Sequence, residues 1–85
     1  MKPNVLVLNP RDNVAIALTD IKKSEIAVIS AEQTFEVVEE IPFSHKIALI
    51  NIPQGTAIFK YGEIIGTANC SIKQGAWVHA HNLGE

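Results

Sequence analysis

Two histidines, His79 and His81, stand two positions apart in the segment GAWVHAHN, which runs from Gly75 to Asn82. In an extended segment successive side chains point to opposite faces, so Trp77, His79 and His81 would share one face and Val78, Ala80 and Asn82 the other. Paired imidazoles on one face suit a metal ion, an anionic substrate or a proton in transit. The same spacing also fits a solvated edge strand whose histidines do no chemistry. Such a pair supplies at most two metal ligands, whereas a zinc centre takes three or four from protein. A metal at His79 and His81 would therefore need ligands from another chain.

Three further polar groups interrupt the apolar background: Arg11-Asp12-Asn13, His45-Lys46, and Lys60-Tyr61-Gly62-Glu63. With His79-Ala80-His81-Asn82 they fall at expected strand ends or turns, where a scaffold can hold side chains while leaving them exposed. Guanidinium, ammonium and imidazole groups together suit a carboxylate, and the neighbouring amides and hydroxyl suit the oxygens of a polyhydroxylated acid. The candidate substrate-binding set is Arg11, Asp12, Asn13, His45, Lys60, Tyr61 and Asn82. Each has a structural alternative. Arg11 and Asp12 could pair or cap a turn, Lys46 and Lys60 could be solvated stems, Tyr61 could be a core ring, and His45 could satisfy turn backbone.

The bulk numbers narrow the classes. A chain of 85 residues, 47% hydrophobic, has material for a single small core. A formal charge of −2 without a basic cluster argues against nucleic acid as a partner. The apolar run near the N-terminus is cut off at Asn9, Pro10, Arg11 and Asp12, too short for a signal or a membrane span. The single cysteine, Cys70, excludes an internal disulfide, fits a reducing cytoplasm, and reads as a small buried filler.

The elements that must position these groups read as strands. Short apolar runs separated by turn residues recur along the chain, and none sustains helical spacing. Strands are expected near Val5–Leu8, Glu25–Ile29, Phe35–Ile41, Lys46–Ile50, Ala57–Tyr61, Glu63–Ala68 and Ala76–His81. Asp12–Leu18 reads as strand or as one short helical turn. Three segments share a pattern of polar residue, isoleucine, two turn residues, then Gly or Ser: Asp20–Ser24, Asn51–Gly55 and Ser71–Gly75. In this pattern the leading polar side chain is expected to bond backbone two residues on, and the isoleucine to anchor the turn. Gly62 marks a reversal between two apolar runs, and Gly66 a bulge. The expected fold is a small, mainly β domain of short kinked strands, with exposed edges that permit self-association or docking.

Taken together, NPRDNVAIAL, IPFSHKIAL, IFKYGEIIGTA and GAWVHAHNL resemble the small N-terminal domain of the altronate and galactarate dehydratase family, a member of the SAF group with the β-clip fold. The resemblance runs from about Val5 to Leu83. It is loosest over Lys22–Glu40, where Ser24 stands in place of the family's more usual turn glycine.

The resemblance implies a β domain that works with a much larger catalytic domain or subunit to dehydrate sugar acids such as altronate or galactarate. One related branch removes sulfite from sulfolactate with a separate small subunit. Because the sequence stops at Glu85, the same resemblance points to a small subunit, nearly inactive alone, or to a truncated piece. The larger part would bring a divalent metal, iron or manganese, and most acid–base groups. His79 and His81 would face that site as proton donors or supplementary ligands, and Arg11, His45 and Lys60 would orient the substrate carboxylate. Relatives that act as substrate-recognition lids keep a non-catalytic binding module as the alternative.

Overall fold

The computed structural model describes residues 2–84. Among them nine strands and no helix are found: β1 (Val5–Leu6), β2 (Val14–Ala17), β3 (Ile26–Ser30), β4 (Gln33–Glu36), β5 (Lys46–Ala48), β6 (Ala57–Lys60), β7 (Glu63–Ala68), β8 (Trp77–Val78) and β9 (Leu83–Gly84). Three small sheets result, ordered β1-β2-β5-β8, β3-β4 and β6-β7-β9. This is the mainly β, short-stranded domain that the apolar runs predict.

The turn device is used four times rather than three. Ile21 bridges Ile41, and Ile52 bridges Ile72, each pair antiparallel and each side chain buried. Ile52 and Ile72 lie 31 positions after Ile21 and Ile41 respectively, and the same offset carries β2 onto β5 and β5 onto β8. The missed copy is Glu40–Ser44, where Phe43 stands in place of the polar residue that precedes the final Gly or Ser in the other copies. The last residue of each copy has positive φ: 76° at Ser24, 71° at Ser44 and 87° at both Gly55 and Gly75. Ser24 thus adopts the conformation that glycine takes in the equivalent turns.

The leading polar side chains do not bond backbone two residues on. Asp20 Oδ1 instead accepts Phe43 N–H at 2.8 Å, and Asn51 Oδ1 accepts Gln74 N–H at 2.9 Å. Each side chain ties its own turn to the opposing one, which is why the paired turns pack as units. The two resulting cores mirror one another. Ala17, Ile21, Ala27, Ile41 and Ile47 centre the first, and the residues 31 positions later, Ala48, Ile52, Ile58, Ile72 and Val78, centre the second. Fully burying an isoleucine stabilises by about 1.5–3 kcal/mol, so each bridging isoleucine is a substantial contribution to so small a fold.

Several boundaries shift. Asp12–Leu18 resolves to strand at Val14–Ala17, because β2 pairs with both β1 and β5 and a helical turn would forfeit those ladders. The expected strand over Phe35–Ile41 is displaced: β4 ends at Glu36, and Ile41 makes only its bridge to Ile21. The strand over Ala76–His81 stops at Val78. Cys70 is exposed rather than buried, since it sits in the loop between β7 and the turn at Ile72.

Asp12 settles the geometry of the β6–β7 hairpin. Its carboxylate accepts Tyr61 N–H at 3.0 Å and Gly62 N–H at 2.8 Å, holding a two-residue turn in which both φ angles are positive. Replacing Asp12 by Ala should cost about 1–3 kcal/mol, the range for losing charged hydrogen bonds to backbone donors. Urea unfolding of the two chains measures it, and an unchanged midpoint would contradict this capping role.

Candidate functional site

The β5–β8 ladder gathers the chemistry. Lys46 pairs with Val78 and Ile47 with Trp77, so the register continues to place His45 across from His79. The ring centroids of His45 and His79 are 4.9 Å apart. Trp77 lies against all three imidazoles: its Nε1–H donates to His45 Nδ1 at 3.0 Å, its ring stacks on His79 at 4.9 Å with 9° between planes, and His81 tilts against it at 5.2 Å.

A turn, not an extended strand, brings His79 and His81 to Trp77. Asn82 is buried, only 5% exposed, and replaces backbone partners with its side chain. Its Oδ1 accepts His79 N–H at 2.9 Å and its Nδ2 donates to the Trp77 carbonyl at 2.8 Å. The chain therefore reverses after Val78, and β9 returns along β7. This local hydrogen bonding ends the strand earlier than alternation suggests.

Lys46 and His79 line an open depression of about 740 Å³ whose other wall is Ile64, Ile65, Gly66, Thr67 and Leu83. That volume lies within the range of small-molecule sites. The apolar wall owes its shape to a bulge: Ile58 pairs with Gly66 but Phe59 with Ile64, leaving Ile65 as the extra residue beside the glycine expected to mark it. Ile64 remains 63% exposed on this rim.

Desolvation and neighbouring charge act in the same direction on two groups of the site. Desolvation lowers the pKa of His79 from its usual value, and the positive charges that His45, Lys46 and His81 can carry lower it further. His79 is thus biased towards the neutral, proton-accepting form. The Lys46 pKa is also lowered, first by desolvation of its half-buried stem and then by Lys60 nearby. Two cationic groups and an imidazole crowded together are relieved by an anion.

The remaining candidates divide. Asn13 is buried, its Nδ2 donating to the Ala57 carbonyl and its Oδ1 accepting Phe59 N–H, so its amide is spent on β6. Asp12 and Asn82 are likewise engaged with backbone. The Arg11 guanidinium lies over the Phe59 ring at 5.3 Å, and the Lys60 ammonium over the Tyr61 ring at 5.9 Å. Tyr61, at 66% exposure, is a surface ring and not a core one. The polar groups therefore converge in two pairs. Arg11–Asn13 meets Lys60–Glu63 at the β6–β7 hairpin, His45–Lys46 meets His79–Asn82 at β5–β8, and the proximity of Lys46 to Lys60 links them.

Among the described residues no three His, Cys, Asp or Glu side chains converge as a metal-holding set. His79 faces the depression beside Lys46, whereas His81 lines a different one with Glu39 and Cys70. Among the described residues the donors do not by themselves fit iron or manganese. Lys46 and Trp77 belong to this candidate site but stand outside the substrate-binding and catalytic sets drawn from the sequence, although Lys46 was named with His45 and the alternation grouped Trp77 with the histidines.

Residues 3–85 match the altronate/galactarate dehydratase SAF domain. The chain is 42% identical over 72 residues to altronate dehydratase of Escherichia coli (strain K12), covering 84% of this chain and 14% of that protein. It is 40% identical over 67 residues to the galactarate dehydratase (L-threo-forming) of the same organism, covering 79% and 12%. Similarity to the (2R)-sulfolactate sulfo-lyase subunit alpha of Chromohalobacter salexigens is 41% over 49 residues, covering 58% of this chain and 52% of that subunit. The chain thus spans about one-seventh of the length of the altronate dehydratase it matches. Among the described residues no helix is long and apolar enough to cross a membrane.

Proposed function

The chain belongs to the altronate/galactarate dehydratase SAF domain family, and from that premise we propose that it is the small component of a cytoplasmic hydro-lyase. It completes the active site of a larger catalytic body that dehydrates sugar acids such as altronate or galactarate. The observation that carries this reading is the open depression lined by Lys46 and the neutral-biased His79 imidazole, with the His45 ring packed against His79 behind it.

Dehydration removes a proton beside a carboxylate and expels a hydroxyl from the next carbon. Lys46 would take the carboxylate as a point charge, with Lys60 and Arg11 adding positive potential at the adjoining hairpin. His79, neutral at its lowered pKa, would accept or relay the proton. The depression is too open to exclude water alone, which supports a larger body closing over it. The divalent metal, iron or manganese, would be held by that body, with this chain adding at most a supplementary ligand.

Replacing Lys46 by Gln should raise KM for the sugar acid by about ten- to a hundredfold, the loss of one charged hydrogen bond, with a smaller change in kcat. Steady-state kinetics of the mixed components measures it, and an unchanged KM would remove Lys46 from the site. A second reading, a sulfolactate sulfo-lyase component, is favoured by the match over about half of a separate alpha subunit. Assaying the same mixture for sulfite release from sulfolactate decides between them.

A further inference from the structure

Trp77 is the only tryptophan in the sequence and is fixed from every side. Its main-chain N–H donates to Glu39 Oε1 at 2.8 Å and its carbonyl accepts Asn82 Nδ2 at 2.8 Å. The indole so held donates Nε1–H to His45 Nδ1 at 3.0 Å and stacks flat on His79. An indole nitrogen can only donate, so the atom receiving its hydrogen must present a lone pair. Neutral His45 bonded in this way carries its hydrogen on Nε2.

We infer that Trp77 is a positioning residue: it selects the Nε2–H tautomer of His45 and fixes the plane of His79, so that the site offers one donor and one acceptor imidazole side by side. A free imidazole rotates and exchanges its two tautomers, and a ligand would have to order it at binding. With the indole in place that ordering precedes the ligand. An oxygen-rich acid in the depression lined by His79 would meet His79 as an acceptor, and any oxygen reaching past it to His45, whose ring lies 4.9 Å away, would meet an N–H donor. This second half rests on the hydro-lyase reading; the tautomer selection does not.

Two measurements on the chain itself test the selection. Long-range nitrogen–proton NMR of neutral His45 should show one tautomer, protonated on Nε2, and Trp77→Phe, which keeps an aromatic face but removes the donor, should introduce the Nδ1–H form. Hydrogen exchange of the indole N–H should be slow and should accelerate by about tenfold or more in His45→Ala, as expected for releasing one hydrogen bond. A mixture of tautomers in the parent chain, or indole exchange indifferent to His45→Ala, would overturn the inference. In the assembled enzyme Trp77→Phe should raise KM by about tenfold with kcat changed less, the loss of one pre-ordered contact. A locked tautomer together with parent-like kinetics in Trp77→Phe would overturn its part in the reaction. Absence of turnover with the unsubstituted chain would instead contradict the hydro-lyase reading, with the NMR result still deciding the tautomer.

Discussion

On the proposed hydro-lyase reading, replacing His79 by Ala in the assembled enzyme should lower kcat by about 10²–10⁴-fold, the usual contribution of a positioned acid–base side chain, with little change in KM. His79 is exposed on the depression it shares with Lys46 and rests on Trp77, so truncation removes an imidazole without opening the core. His81→Ala is the matched control. It removes the same chemical group two residues on, but His81 lines a different depression with Glu39 and Cys70, and its loss should cost less than about tenfold on the same scale. Equal losses in both variants would mean that the pair acts together, as the bare spacing suggests, and would contradict the division made by the 79–82 turn.

The second large effect is on stability and separates two glycines in equivalent turns. Gly55 and Gly75 share a φ of 87°, a conformation that costs an ordinary L-residue about 1–2 kcal/mol. At Gly55 an added methyl meets nothing within 4 Å, so Gly55→Ala should cost only that backbone term. At Gly75 the methyl would collide with the Glu36 carbonyl and crowd Val37, where the turn presses against the chain leaving β4. That backbone is held by Val38 N–H donating to the Gly75 carbonyl at 3.0 Å and cannot yield freely. Gly75→Ala should therefore cost more than about 3 kcal/mol, a large part of the 5–15 kcal/mol typical of a folded domain. Its melting temperature should fall by about 12 °C or more at roughly 4 °C per kcal/mol for a domain of this size. Similar melting temperatures for the two variants would contradict the close packing of the Gly75 turn.

The strands were legible where apolar runs end in turn residues, and the turn device was legible wherever glycine or a simple polar pair closed it. Glu40–Ser44 escaped because an exposed phenylalanine replaces the polar residue found at that place in the other copies, and nothing in sequence says that Ser44 will take positive φ. Asp12 and Asn13 made their segment ambiguous for a related reason: they read as helix caps, yet their side chains bond backbone on β6 and its hairpin, more than forty positions away. Asn13 and Asn82 resemble ligand-binding amides in sequence and serve as backbone substitutes in the fold, a difference that only tertiary placement reveals. Spacing singled out the histidines, but the strand expected to align them is a turn. Lys46 was weighed alongside Lys60 as a solvated stem, and only Lys60 entered the substrate-binding set. Its place opposite Val78 follows from strand register, which no local pattern encodes.

The most direct test of the central claim is a hydro-lyase assay on this chain mixed with a large catalytic polypeptide of the family that lacks its own SAF domain. Ferrous or manganous ion is supplied, and altronate, galactarate and sulfolactate are offered in turn. Turnover of a sugar acid by the mixture, and by neither component alone, is the predicted result. No turnover of any of the three, combined with binding of a sugar acid by the isolated chain, would contradict the claim and leave a recognition module in its place.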